Sequence, residues 1–247
     1  MNTFSINFQR FYFFILRQFS LYKSSMGIGS AALLGIILIP TILTVLYNPN
    51  DMDNLPNFYQ AVMFLSGFIF TSQIFIELND AKKSYAYLTL PVSNLEKLLG
   101  SWFISGPFYA FVFTILILVI RIISGLITKS GDHVFDFFDY RYFKSLGNFL
   151  SLQSVFFLGA IWFRKNNFLK TILSIIITFL LIGISTVIIF GLIFQGYNIE
   201  NMNLNKDQFM PILDFEFLLR MLNIGVGVLL PIFLIVVSYF KLKERQV

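Results

Sequence analysis

Glu77, Asp80, Lys82 and Lys83 place four charges at the start of a short interruption between two apolar runs, and Ser93 and Glu96 stand near its end. The stretch reads as a structured knob on the membrane face, built to be held by another component. Ser93-Asn94-Leu95-Glu96 is a capping box: the Ser93 hydroxyl can accept from the Glu96 amide, and the Glu96 carboxylate can accept from the Ser93 amide. Pro91, just upstream, disfavours helix at Leu90. The spacing therefore predicts helix, sharp break and new helix across 77–100, with the second helix leading into the next apolar run. Chemistry of other kinds lacks its residues. The chain has no cysteine and one histidine, His133, which excludes thiolate catalysis, disulfides and Cys- or His-rich metal sites. G-x-x-x-x-G-K-[ST], H-E-x-x-H and G-x-S-x-G are all absent, and no apolar run contains an aspartate that could form an intramembrane acid pair. Nothing points to an intrinsic enzyme or to a bound cofactor.

The elements that hold this stretch are dictated by composition. Hydrophobic residues make up 57% of the 247 residues and charged ones 13%, against about 25% charged in soluble domains. With 32 phenylalanines the surplus apolar surface belongs in a bilayer. Runs at about 29–47, 58–76, 101–127, 145–163, 169–194 and 221–240 have the length a membrane-spanning helix requires. The expected fold is all-α: one polytopic membrane domain over 1–247 with six spans. Pro40 should kink the first. Arg121 lies far enough along the third to reach headgroups at its far end. Residues 2–23 carry Phe4, Phe8, Phe11, Ile15, Phe19 and Tyr22 at helical spacing, with Arg10 and Arg17 elsewhere. That pattern predicts an amphipathic helix lying at the membrane interface, and the arginines argue against a cleavable signal peptide.

Charge sets the orientation. Arg10, Arg17 and Lys23; Lys82, Lys83 and Lys97; Arg164, Lys165 and Lys170; and Lys241, Lys243 and Arg245 all fall in segments on one side of a six-span arrangement. The opposite side collects most of the acids. The positive-inside rule places both termini and 77–100 in the cytoplasm. Trp102 and Trp162 fall at cytoplasmic borders, where indoles anchor. The net charge of +5 is thus spread over membrane borders and forms no nucleic-acid patch. The outer loop 128–144, with a solvated His133, and an ordered outer cap over 195–219 complete the expected layout.

Polar residues inside the spans are mild. Ser66, Thr71, Ser72, Thr178, Ser185 and Thr186 read as interhelical glue, and Gly225-Val226-Gly227 as a close helix contact or flexible point. Gln73, Gln153 and Asn223 are the candidates for a polar translocation path.

In this layout the chain resembles the permease subunit of type-2 ATP-binding-cassette exporters. The resemblance is carried by Glu77, by Lys82-Lys83, by the run Ser84-Tyr85-Ala86-Tyr87-Leu88-Thr89-Leu90-Pro91-Val92-Ser93, and by Glu96. Lys83-Ser84 stands where that family often has Gly-Thr. The resemblance implies that 77–100 contains a coupling helix docking on a separate cytosolic ATPase, with Lys83, Ser84, Tyr85, Ala86, Tyr87, Leu88 and Thr89 as the contacting residues and ATP bound by that partner. It also implies a second permease copy or homologue as dimer partner, membrane lipids as surroundings, and residence in the bacterial cytoplasmic membrane. Two other readings fit the sequence: a secondary carrier or channel without an ATPase, in which 77–100 and 195–219 occupy equivalent places of a three-plus-three repeat, and a non-transporting anchor of a larger machine.

Overall fold

The computed structural model describes residues 7–47, 55–128, 138–193 and 224–245. Every regular element among them is helical. Helix α1 spans Phe8–Tyr47, α2 Leu55–Gln73, α3 Ala81–Leu88 and α4 Asn94–Phe103. A π-helical turn, Ile104–Phe108, joins α4 to α5, Tyr109–Thr128. Then come α6, Tyr140–Trp162, and α7, Asn167–Ile193; a second π-helical turn, Gly225–Leu229, precedes α8, Leu230–Glu244. His133, Asn223, Phe4 and the expected outer cap at 195–219 lie outside the described residues.

Among the described residues, five stretches are long and apolar enough to cross a membrane: Met26–Tyr47, Asn94–Ile127, Tyr140–Trp162, Asn167–Ile189 and Gly225–Glu244. The chain has the build of a multi-pass membrane protein. The second expected span is helical but not among the five. Its helix, α2, includes Asn57, Gln60, Ser66, Thr71, Ser72 and Gln73, and its position explains why. Tyr59, Met63, Gly67 and Thr71 are buried, and α2 packs against α1, α5, α6 and α7. A helix that faces protein needs less apolar surface than one that faces lipid.

Between helices in lipid, close approach and hydrogen bonds replace the hydrophobic drive. A Cβ built on Gly67 would lie 2.4 Å from the Phe149 ring and 2.7 Å from that of Tyr109, so only glycine admits those rings. Hydroxyl bonds bind the same interfaces. Thr41 and Tyr59 share one at 3.0 Å, Ser66 and Tyr109 one at 2.6 Å, and Thr71 Oγ1 donates to Ser105 O at 3.4 Å. Asn167 Nδ2 reaches the carbonyls of Ala160 and Ser72 at 3.1 and 3.4 Å. Much of the expected interhelical glue is thus present. Thr178, Ser185 and Thr186 instead bond the backbone of their own helix, which leaves α7 apolar and exposed along most of its length.

Two apolar clusters divide the bundle. One gathers Ile37, Leu55, Tyr59, Met63, Phe113, Ile117 and Phe149. The other joins Phe14, Ile74, Phe75, Tyr87, Leu98, Phe157, Ile161 and Leu242. The second cluster brings together, at one end of the bundle, the first part of α1, the 77–100 segment, the end of α6 and the end of α8. These are the segments that carry the basic residues counted above. The α6–α7 connection there is as tight as expected, with Asn166 at φ 54, a left-handed conformation that asparagine tolerates. Arg245 donates to Trp162 O at 3.3 Å, and Lys241 stands 4.6 Å over the Trp162 ring.

The leader and first span differ in form from expectation. Helix is unbroken from Phe8 to Tyr47, about 60 Å at 1.5 Å per residue, or twice the roughly 30 Å hydrocarbon thickness. Pro40 lies inside it and does not end it. In the first five turns Phe11, Ile15, Phe19 and Tyr22 of the expected stripe are half-buried, Phe14 and Gln18 beside it are buried, and Phe8 is exposed.

Candidate coupling site

The 77–100 segment folds as a helix–break–helix. Asp80 O accepts from Ser84 N at 2.7 Å as α3 begins, and Thr89 N donates to Tyr85 O at 3.0 Å as it ends. Beyond Pro91 the capping box forms as its spacing requires. Glu96 N donates to Ser93 Oγ at 3.2 Å, and Ser93 N donates to Glu96 Oε2 at 2.8 Å. Helix α4 then runs through the Ile104–Phe108 turn into α5, so the charged segment is continuous with a span.

Contacts to distant parts of the chain hold the segment in place. The second Glu96 oxygen, Oε1, accepts from Asn7 N at 2.7 Å and lies 3.6 Å from the Arg10 guanidinium. Asn7 in turn caps α1, its Oδ1 accepting from Gln9 N at 3.0 Å. One buried carboxylate therefore serves the N-terminal ends of two helices, where a negative charge is favoured by the helix dipoles. Arg17 pairs with Glu77 through two bonds of 3.2 Å, the bidentate geometry that gives arginine its directional specificity. Lys97 is buried and donates to Leu88 O at 3.1 Å, closing the last turn of α3 from α4. Gly100 allows the contact: a Cβ there would lie 2.8 Å from the Phe14 ring.

The candidate contact residues separate into two faces. Lys83, Tyr85, Ala86 and Thr89 are exposed, Tyr85 at 73%. Ser84 is half-buried, and Leu88 packs on the apolar cluster. Tyr87 points inward, 1% exposed, with its ring edge-on to Phe14 and Phe75 and 5.5 Å from Lys97 Nζ. The expectation that Tyr87 contacts a partner is corrected: at helical spacing its side chain points opposite to Tyr85 and enters the chain's own core.

Beneath the segment lies a buried polar patch. Among the described residues the Gln18 amide, the Tyr22 hydroxyl and the Trp102 Nε1 find no hydrogen-bond partner, and the Tyr87 and Ser101 hydroxyls face each other. Burial pushes the Tyr22 hydroxyl up to about 12, with Glu77 adding in the same direction and Arg17 opposing. Burial raises Tyr87 as well. Both phenols are thus neutral at physiological pH, and the Arg17–Glu77 pair and Lys97 carry the local charge.

The candidate path residues do not converge. Gln153 is fully buried and donates to Ser105 Oγ at 2.8 Å, with its Oε1 facing Gly106. Gln73 is exposed and lines a groove on α1, α2 and α5. Asn223 lies outside the described residues. A Cβ added at Gly225 or Gly227 would meet no described atom within 4 Å, so neither glycine is required by a close helix contact; Ser151 Oγ donates to the backbone Gly227 O at 2.6 Å. Sequence reasoning assigned Arg10 and Arg17 to topology and missed their partners. The recoverable signal was that both lie on a helical leader facing a segment that begins and ends in glutamate.

The chain matches no family model, no curated protein and no solved structure.

Proposed function

We propose that the chain is the membrane permease subunit of a type-2 ATP-binding-cassette exporter of the bacterial cytoplasmic membrane. In this reading it works as a dimer and is driven by a separate cytosolic ATPase. Leu55–Gln73 is then the second of six spans, and both termini and 77–100 face the cytoplasm. One observation carries the reading. Helix α3 is held on its inner side by Tyr87 and by Lys97 at its last turn, with Arg17 fixing Glu77 just before it, while Lys83, Tyr85, Ala86 and Thr89 are exposed on the outer side. A connector with no partner needs no such support. In this reading the chain, which has no P-loop, takes its driving force from another polypeptide through a rigid contact, and the direct link from α4 to a span supplies the lever.

Tyr85→Asp tests the contact. Tyr85 is exposed, so the substitution leaves the permease folded and inserted, whereas a charge buried without a partner in an ATPase groove costs several kcal/mol. Co-expression with the neighbouring ATPase should give normal membrane levels of the permease and loss of the co-purifying ATPase. Undiminished recovery would remove α3 as the contact.

The topology has its own check. The chain has no native thiol, so Lys83→Cys should react with an impermeant maleimide only from the cytoplasmic side and Asp53→Cys only from outside. The reverse pattern overturns the orientation.

One observation favours a second reading, an ion-coupled secondary carrier. The third and sixth expected spans each contain a π-helical turn, Ile104–Phe108 and Gly225–Leu229, at corresponding places of a three-plus-three repeat, and such turns concentrate at functional sites. Substrate movement in liposomes holding this protein alone, driven by an ion gradient, would select it.

A further inference from the structure

A groove of about 520 Å³ opens on the outer side of α1, α2 and α5, inside the roughly 300–1,000 Å³ range of small-molecule sites. Its walls are graded. Leu33, Ile36, Ile69, Val112 and Leu116 make most of it apolar, while Gln73 stands at the end nearest the 77–100 segment. The Gln73 amide is exposed and makes no hydrogen bond among the described residues. Met26 and Ser30 also line the groove, and Lys23 precedes them at three- and seven-residue spacing, which puts it on the same stripe of α1 one turn beyond. Lys23 is exposed and has no ion-pair partner among the described residues. The neighbouring Glu77 carboxylate is held by Arg17, so it does not neutralise Lys23.

We propose that this groove binds one anionic phospholipid, with an acyl chain along the apolar wall and the phosphate region at Lys23 and Gln73. The grading decides the class of ligand. An apolar helix seated in the groove would leave the Gln73 amide unpaired in a dry contact, at the cost of its desolvation, and would strip water from Lys23. A lipid presents hydrocarbon and anionic oxygen acceptors in the order in which the groove presents apolar wall, amide and ammonium. The groove lies on two of the stretches long enough to span a membrane, Met26–Tyr47 and Asn94–Ile127, so lipid is its neighbour. The site does not depend on the transport reading.

Native mass spectrometry of the detergent-purified chain, supplied with equal amounts of phosphatidylglycerol and phosphatidylcholine of identical acyl chains, tests it. One bound phosphatidylglycerol is expected, favoured about fivefold over phosphatidylcholine, the worth of one basic residue beside an anionic headgroup. Lys23→Glu, an exposed change that leaves the fold intact, should abolish the preference. Ile69→Trp should fill the groove and remove the bound lipid, whereas Leu181→Trp on the exposed face of α7 should change nothing. Inorganic phosphate should not compete. Equal retention of the two lipids by the native chain, preference surviving Lys23→Glu, displacement by phosphate alone, or a second protein copy in place of the lipid would each overturn the proposal.

Discussion

Glu96→Ala is expected to lower the stability of the folded chain by about 2–4 kcal/mol, since a hydrogen bond to a charged group contributes about 1.5–3 kcal/mol and a lost cap about 1 kcal/mol. The carboxylate is fully buried and accepts from Ser93 N and Asn7 N while facing Arg10. Its removal uncaps α4 and leaves the start of α1 without its anchor. Glu96→Gln should fall between wild type and alanine, because the amide keeps one acceptor but turns a donor toward another donor. Ser93→Ala should cost only about 1 kcal/mol, the cap alone. Unfolding by graded addition of a denaturing detergent, followed by circular dichroism, measures all three. A loss below about 0.5 kcal/mol for Glu96→Ala, the level of an ordinary surface change, would mean that the two helix ends are not held by this residue.

Tyr87→Ala is expected to destabilise by about 3–5 kcal/mol, the range for truncating a large buried aromatic side chain. The ring fills the space between Phe14, Phe75 and Lys97. Its loss opens a cavity where the leader, the 77–100 segment and the bundle meet. Tyr85→Ala, two residues away on the exposed face, should stay within about 0.5 kcal/mol. The pair separates inside from outside on α3: Tyr87 reports folding, and Tyr85 should leave it unchanged. If Tyr85→Ala unfolds the protein and Tyr87→Ala does not, the orientation of α3 described above is wrong.

Local chemistry was legible in the sequence. Ser93 and Glu96 specify their reciprocal bonds within four residues, and Pro91 forbids helix just before them, so the break and the new helix follow without reference to the rest of the chain. The helical class follows from composition, because unpaired backbone groups are too costly in hydrocarbon for open alternatives. The tight α6–α7 connection likewise follows from its four polar residues.

What depended on packing did not follow. Tyr85 and Tyr87 are the same residue type two positions apart, and only the seating of α3 on Phe14 and Phe75 decides which is buried. Phe11, Ile15, Phe19 and Tyr22 of the leader stripe do turn toward protein, but its most buried ring is Phe14, beside the stripe, because Gly100 leaves room for it. Arg10 and Arg17 lie 86 and 60 residues in sequence from the glutamates they face, too far for any local spacing rule. The polar content of α2 reads as a weakness in a spanning helix until the fold surrounds it with Tyr109, Ser105 and Asn167, which take up its hydrogen bonds. The sequence by itself determined the bonds each residue makes within its own turn of chain; the tertiary structure decided which face of each helix met protein, because that choice is set by the shape of the neighbours and not by the residue that makes it.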